Sequence, residues 1–144
     1  MRVHRLGPPE ARTLISDFLP NTGDSQLDEL LNDAVSRFLS RIPAARQDAI
    51  EKLWDAFERL KTLERGGQKK ASLAELLQNA APEPFRTELD NEFRVLTGVG
   101  NNFRIRHHEH DKHALPGGDA RDYLFIRLVS IIAFVLRQTG RMAS

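Results

Sequence analysis

The stretch Ser25-Gln-Leu-Asp-Glu-Leu-Leu-Asn-Asp-Ala-Val-Ser-Arg-Phe-Leu39 decides the fold class. Leu27, Leu30, Leu31, Ala34, Val35, Phe38 and Leu39 recur at spacings of three and four, which puts them on one stripe of an α-helix. Asp24 or Ser25 is placed to cap its first N–H groups. Pro43 either ends the helix, expected over residues 25–42, or opens the next one at its first position.

The same periodicity continues on the C-terminal side. A second helix is expected from about Ala44 to Glu64, with a core stripe of Ala49, Ile50, Leu53, Trp54, Phe57 and Leu60. Glu51, Asp55, Glu58 and Lys61 lie off that stripe and read as solvated, and Gly66-Gly67 stops the helix. Ser72-Leu-Ala-Glu75 has the spacing of a capping box, so a third, short helix is expected to start at Ser72, with Leu73, Leu76 and Leu77 facing inward. Pro82 and Pro84 mark a break. Phe85, Leu89, Phe93 and Leu96 form the stripe of a fourth helix, after which Gly98 and Gly100 are expected to loosen the chain. The last helix is expected from near Asp119, as N-cap, to Gln138, with Gly140 as the C′ residue.

That last helix is apolar on nearly every face. Tyr123 to Leu136 holds 12 apolar residues in 14, too short for the roughly 20 that a membrane span needs, and Arg127 interrupts it. It reads as a central core helix, with Arg127 either paired to a carboxylate or facing a dimer groove. Residues 1–23, with a short helical candidate from Glu10 to Leu19, read as an N-terminal arm, and residues 24–144 as the helical domain. No run has the period of a β-strand. The chain is expected to be all-α, a bundle of four to five helices.

Composition excludes several functions. The 144 residues carry 21 Lys+Arg and 20 Asp+Glu, a net charge of +1, which is neither a histone-like polycation nor an acidic tail protein. There is no cysteine, so disulfides, thiolate zinc sites and thiol nucleophiles are ruled out, in keeping with a reducing cytoplasm. No signal-peptide core is found near the N-terminus, where Pro8, Pro9 and Pro20 stand. The charge is uneven: residues 1–100 hold 14 basic and 16 acidic side chains, residues 101–144 hold 7 and 4. Four of the five histidines also fall in that last segment, which marks it for a phosphate-bearing partner.

They fall within Asn101-Asn-Phe-Arg-Ile-Arg-His-His-Glu-His-Asp-Lys-His113, directly before the most hydrophobic helix. A metal site would use His107, His108, His110 and His113 with Glu109 or Asp111, but no His-Glu-x-x-His or other familiar ligand spacing is present. A solvated basic face near a helix end is the plain alternative. The third reading is catalytic. An arginine offers a fixed fork of donors to phosphate oxygens, and a histidine exchanges protons near neutrality. Together they suffice for attack of an RNA 2′-OH on its own 3′-phosphate, with no metal or cofactor. Arg106 and His113, seven apart, share one face if the stretch is helical, whereas Arg104 and His110, six apart, diverge by about a third of a turn. His107, beside the arginine, is placed to hold it or to touch substrate. Asn101 and Asn102 read as turn residues after Gly100, or as groups pointing at substrate.

Arg106-His107 followed by His113 resembles the motif of the HEPN superfamily, an Arg and a His separated by four to six residues, with a polar residue after the Arg. The order of helices over roughly residues 25–140 is similar as well, and abortive-infection proteins are the nearest kind. The resemblance implies a four- to five-helix bundle and a metal-independent endoribonuclease of a toxin or phage-defence system. Arg106 would bind phosphate and His113 would be the acid/base, with His107, Arg104, Asn102 and His110 touching substrate. It also implies a homodimer with two motifs in one cleft and an antitoxin or regulatory partner. Arg104–His110 satisfies the same spacing, and Leu115 stands where toxins modified by a nucleotidyltransferase carry Tyr. Some members are inactive, which leaves a non-catalytic module for dimerisation or for nucleic-acid or nucleotide binding as the alternative. Independently of the resemblance, the apolar surplus of the last helix points to a homodimer on the motif side.

Overall fold

The computed structural model describes residues 9–106 and 108–143, with side chains described from residue 13 onward. Six helices follow one another: α1 Pro9–Ser16, α2 Ser25–Phe38, α3 Pro43–Leu60, α4 Lys69–Ala80, α5 Phe85–Asn102 and α6 Gly118–Gln138. Among the described residues the only β pairings are two isolated bridges, Pro20 with Met142 and Phe103 with His113. The protein is all-α.

The α2 and α3 stripes form the frame. Leu27, Leu31, Ala34, Val35 and Phe38 of α2 meet Ala49, Ile50, Leu53, Trp54 and Phe57 of α3. Asp24 caps α2, accepting from the N–H groups of Gln26 and Leu27, each at 3.1 Å. Its carboxylate also pairs with Arg59 of α3 at 2.9 Å, which ties the start of one helix to the end of the other. That pairing first, and the cap N–H groups after it, hold the Asp24 carboxyl below its ordinary value despite some burial. A depressed folded-state pKa stabilises above the unfolded value and loses that contribution as pH falls through the folded one. Asp24→Ala is therefore expected to cost about 1 kcal/mol at pH 7. In urea titrations the difference from wild type should shrink steadily below pH 4, and a difference independent of pH would contradict the charged cap.

Several boundaries differ from the sequence expectation, beginning with α2, which ends at Phe38 rather than at residue 42, and α3, which ends at Leu60 rather than near Glu64. The α4 helix starts at Lys69, not at Ser72. Ser72 is fully buried inside the helix, and its hydroxyl accepts from the N–H groups of Glu64 and Arg65 at 3.0 and 3.1 Å. It satisfies the turn after α3 rather than capping its own helix, and Glu75 pairs with Arg65 instead of reaching back. The α5 helix does not loosen at Gly98 and Gly100 but runs on to Asn102. A Cβ on Gly100 would lie 2.4 Å from the indole Nε1 of Trp54, so glycine here lets the α5 backbone lie against that ring rather than marking a break. The α6 helix begins with Gly117 as N-cap, which places Asp119 in the first turn.

The C-terminus of α6 matches expectation. Gly140 takes φ 72°, its N–H donates to Arg137 O at 3.2 Å, and the Arg141 N–H donates to Leu136 O at 2.7 Å. That pair of bonds is the Schellman arrangement. Between its ends α6 packs on α3, α4 and α1, with Phe125 stacked on Phe38 at 4.0 Å between ring centroids. Ile15 and Phe18, from the segment read as an arm, are buried in the same core. Arg127 forms a two-pronged pair with Glu92 of α5 at 2.7 and 2.8 Å. No helix among the described residues is long and apolar enough to cross a membrane.

One flank of α6 is not covered. Phe85, Leu89, Tyr123, Ile126, Ile131 and Phe134 line an apolar groove of about 540 Å3 between α5 and α6. Phe85 and Tyr123 remain 50% and 60% exposed there, large aromatic surface left open to water.

Candidate functional site

After Asn101 and Asn102, which end α5, the charged segment belongs to the loop between α5 and α6, and its described residues from Phe103 to His113 are not helical. The register that would have put Arg106 and His113 on one helix face therefore does not exist. The reason lies in how the loop closes. The His113 N–H donates to Asn102 O at 3.1 Å, and the Arg104 N–H donates to His113 O at 2.6 Å. These bonds make a short parallel bridge at the neck of the loop. Its backbone groups pair across the neck instead of along a helix.

Glu109 organises the interior of the loop. One carboxylate oxygen accepts from the Ile105 and Arg106 N–H groups at 3.2 and 3.0 Å. The other takes the Lys112 ammonium at 3.0 Å, and the same ammonium donates to Gly100 O at 3.0 Å. Burial pushes the Glu109 carboxyl up, but the Arg106 N–H and then Lys112 outweigh it and hold it below its ordinary value. Ile105, 1% exposed, anchors the loop in the core, and its carbonyl accepts from Gln47 Nε2 of α3 at 2.8 Å.

Arg106 extends from this frame toward α3. Its guanidinium pairs with Asp55 and lies 3.6 Å from Glu109, with 27% of the side chain exposed. Burial alone would lower its pKa, but the Asp55 carboxylate, with Glu109 and Glu51 beyond it, raises it above the ordinary value. The guanidinium is charged, as arginine is throughout the accessible pH range, and Asp55 holds it.

His113 is exposed at the neck, its ring 6.0 Å from that of Phe103. His110 is exposed at the far end of the loop. Arg104 is half-buried, and its Nε donates to Glu109 O at 3.1 Å. Asn102 is the last residue of α5 rather than a turn residue; it is exposed, and its side chain donates back to Gly98 O at 2.8 Å. His107 lies outside the described residues. Among the described residues no three His, Asp or Glu side chains converge to hold a metal ion.

The sequence reading missed Asp55 and Gln47. Asp55 is exposed, as expected, but it is also the ion-pair partner of Arg106, whereas Lys61, expected to be solvated, is only 3% exposed. The available signal was the polar row Gln47, Glu51, Asp55, spaced four apart on α3 and opposite in character to the core stripe. Its first and last members hold the loop. Trp54 and Asp55 act as neighbours: one receives Gly100, the other Arg106. Compared with protein-family models, curated proteins and solved structures, the chain matches none.

Proposed function

We propose that the protein is a metal-independent endoribonuclease of HEPN type, acting in a toxin or phage-defence system. The observation that carries this reading is a permanently charged, partly exposed Arg106 on the same pinned loop as an exposed His113. In the proposed reaction His113 takes the proton of an RNA 2′-OH. The O2′ bonds to phosphorus, the P–O5′ bond breaks, and the 5′-oxygen leaves with a proton taken from water. Arg106 balances the charge that grows on the phosphoryl oxygens. The products are a 2′,3′-cyclic phosphate and a 5′-OH. The test is cleavage of RNA in EDTA by wild type and by Arg106→Ala and His113→Ala variants.

A second reading follows from one specific contact. The Asp55 pair occupies Arg106, which suits a helical module that binds nucleic acid or a nucleotide without cutting it. Expression separates the two readings. An unneutralised ribonuclease arrests growth and needs an antitoxin or regulatory partner, whereas harmless high-level expression with intact cellular RNA favours the module.

The proposed assembly is a homodimer. The uncovered groove between α5 and α6 supports it, because Phe85 and Tyr123 stand half-exposed along an apolar cleft that a second copy would cover. Light scattering at micromolar concentration is expected to give twice the chain mass of 16.3 kDa, and a mass equal to one chain would contradict the dimer.

A further inference from the structure

Beside the loop lies a second cavity, of about 220 Å3, lined by Gln47, Arg104, Ala114, Leu115, Gly117 and Arg121. It has two guanidinium-bearing residues and no carboxylate in its wall. We propose that this cavity binds one phosphate group of a ribonucleotide ligand, through Arg104 from the loop and Arg121 from α6.

Charge comes first. Arg104 donates through Nε to a carbonyl, and among the described residues no carboxylate forms an ion pair with it. Arg121 has one carboxylate neighbour, Asp122, at 3.4 Å, and the other oxygen of Asp122 is taken by Arg46. Arg46, 5% exposed and stacked over the Phe38 ring at 4.8 Å, therefore draws Asp122 away from Arg121 without itself lining the cavity. An anion in the cavity would supply what the protein does not.

Geometry points the same way. The Arg121 Nη2 lies 3.3 Å from where a Cβ of Gly118 would stand, so the guanidinium is folded over the first turn of α6. That turn has no side-chain cap, which leaves its N–H groups directed at the same end of the helix. Gln47 fixes the opposite side by holding the Ile105 carbonyl and Glu51. Size limits the ligand. Pockets for whole small molecules measure about 300–1,000 Å3. This one, at about 220 Å3, lies below that range, which suits one phosphate of a ligand rather than a whole nucleotide. Arg104 stands two residues before Arg106, so a bound strand can place one phosphate here and its neighbour at the proposed cleavage site.

The ribonucleotide part of the proposal rests on the ribonuclease reading, and the test is chosen to separate them. A 2′-O-methyl RNA hexamer lacks the attacking hydroxyl and cannot be cut by the proposed reaction, so its binding is read without cleavage. Fluorescence anisotropy is expected to show about tenfold weaker binding for Arg104→Gln and for Arg121→Gln, near the lower end for one charged hydrogen bond. The slope of log affinity against log salt should fall by about 0.7 for each arginine replaced. Adenosine 5′-monophosphate, compared with adenosine, shows whether an isolated phosphate suffices or a strand is needed. Ala114→Glu, at an exposed rim position, puts a carboxylate into the cavity without removing any internal bond, and should weaken the hexamer further. Unchanged hexamer affinity and salt slope in Ala114→Glu and in both glutamine variants, with urea midpoints like wild type, would overturn the proposal.

Discussion

Replacing Gly100 by alanine will destabilise the protein by about 2 kcal/mol, while the same change at Gly98, in the same helix, will stabilise it by about 0.5–1 kcal/mol. In a solvated helix alanine is better than glycine, because it loses less backbone entropy on folding. Nothing lies within 4 Å of a Cβ at Gly98, so that gain is realised. At Gly100 the added methyl meets Trp54, at 2.4 Å from Nε1 and 2.9 Å from Cε2. Trp54 is 3% exposed and packs edge-on against Phe57 at 6.0 Å, so it cannot yield without disturbing the core. Overpacking of this kind exceeds the propensity gain. Urea denaturation of the two variants checks the opposite signs, and a stabilised Gly100→Ala protein would show that α5 does not sit on Trp54. The functional consequence follows from the chain: Gly100 O receives Lys112, so a displaced α5 also displaces the loop.

The second large effect concerns chemistry. Arg106→Ala and His113→Ala are each expected to lower RNA cleavage by about 100- to 10,000-fold, the usual contribution of a positioned acid/base or charge stabiliser. For Arg106 the loss should fall mainly on kcat, because the charge on the phosphoryl oxygens grows toward the transition state. Arg106→Lys should recover little, since an ammonium lacks the planar fork that engages two oxygens. Single-turnover rates with a labelled oligonucleotide measure this. Rates of either alanine variant within a few-fold of wild type would remove that residue from the chemistry.

The helices were legible because burial imposes its period on the sequence. Leu27, Leu31 and Phe38, or Leu53 and Phe57, can be read as one face before any coordinate is known. What escaped was set by contacts distant in sequence. Ser72 and Glu75 have the spacing of a capping box, yet the bonds of Ser72 go to Glu64 and Arg65 because those N–H groups are near it in space. Gly100 looks like a breaker, and only the indole facing it explains why the helix continues. The loop was visible as an unusual cluster of Arg and His, but its conformation was not. Glu109 satisfies backbone N–H groups at Ile105 and Arg106, and no periodicity encodes that arrangement. The pairing of Arg106 with Asp55 joins positions 51 residues apart, and a charge off the core stripe reads simply as solvated until the fold brings its partner to it.

The central claim is that the α5–α6 loop cuts RNA through an internal hydroxyl without a metal. The most direct measurement incubates RNA with wild type and with the Arg106→Ala/His113→Ala double variant in EDTA and identifies the new termini by mass spectrometry. The expected result is 2′,3′-cyclic phosphate and 5′-OH ends with wild type, and intact RNA with the double variant. Equal cleavage by the two proteins would contradict the account.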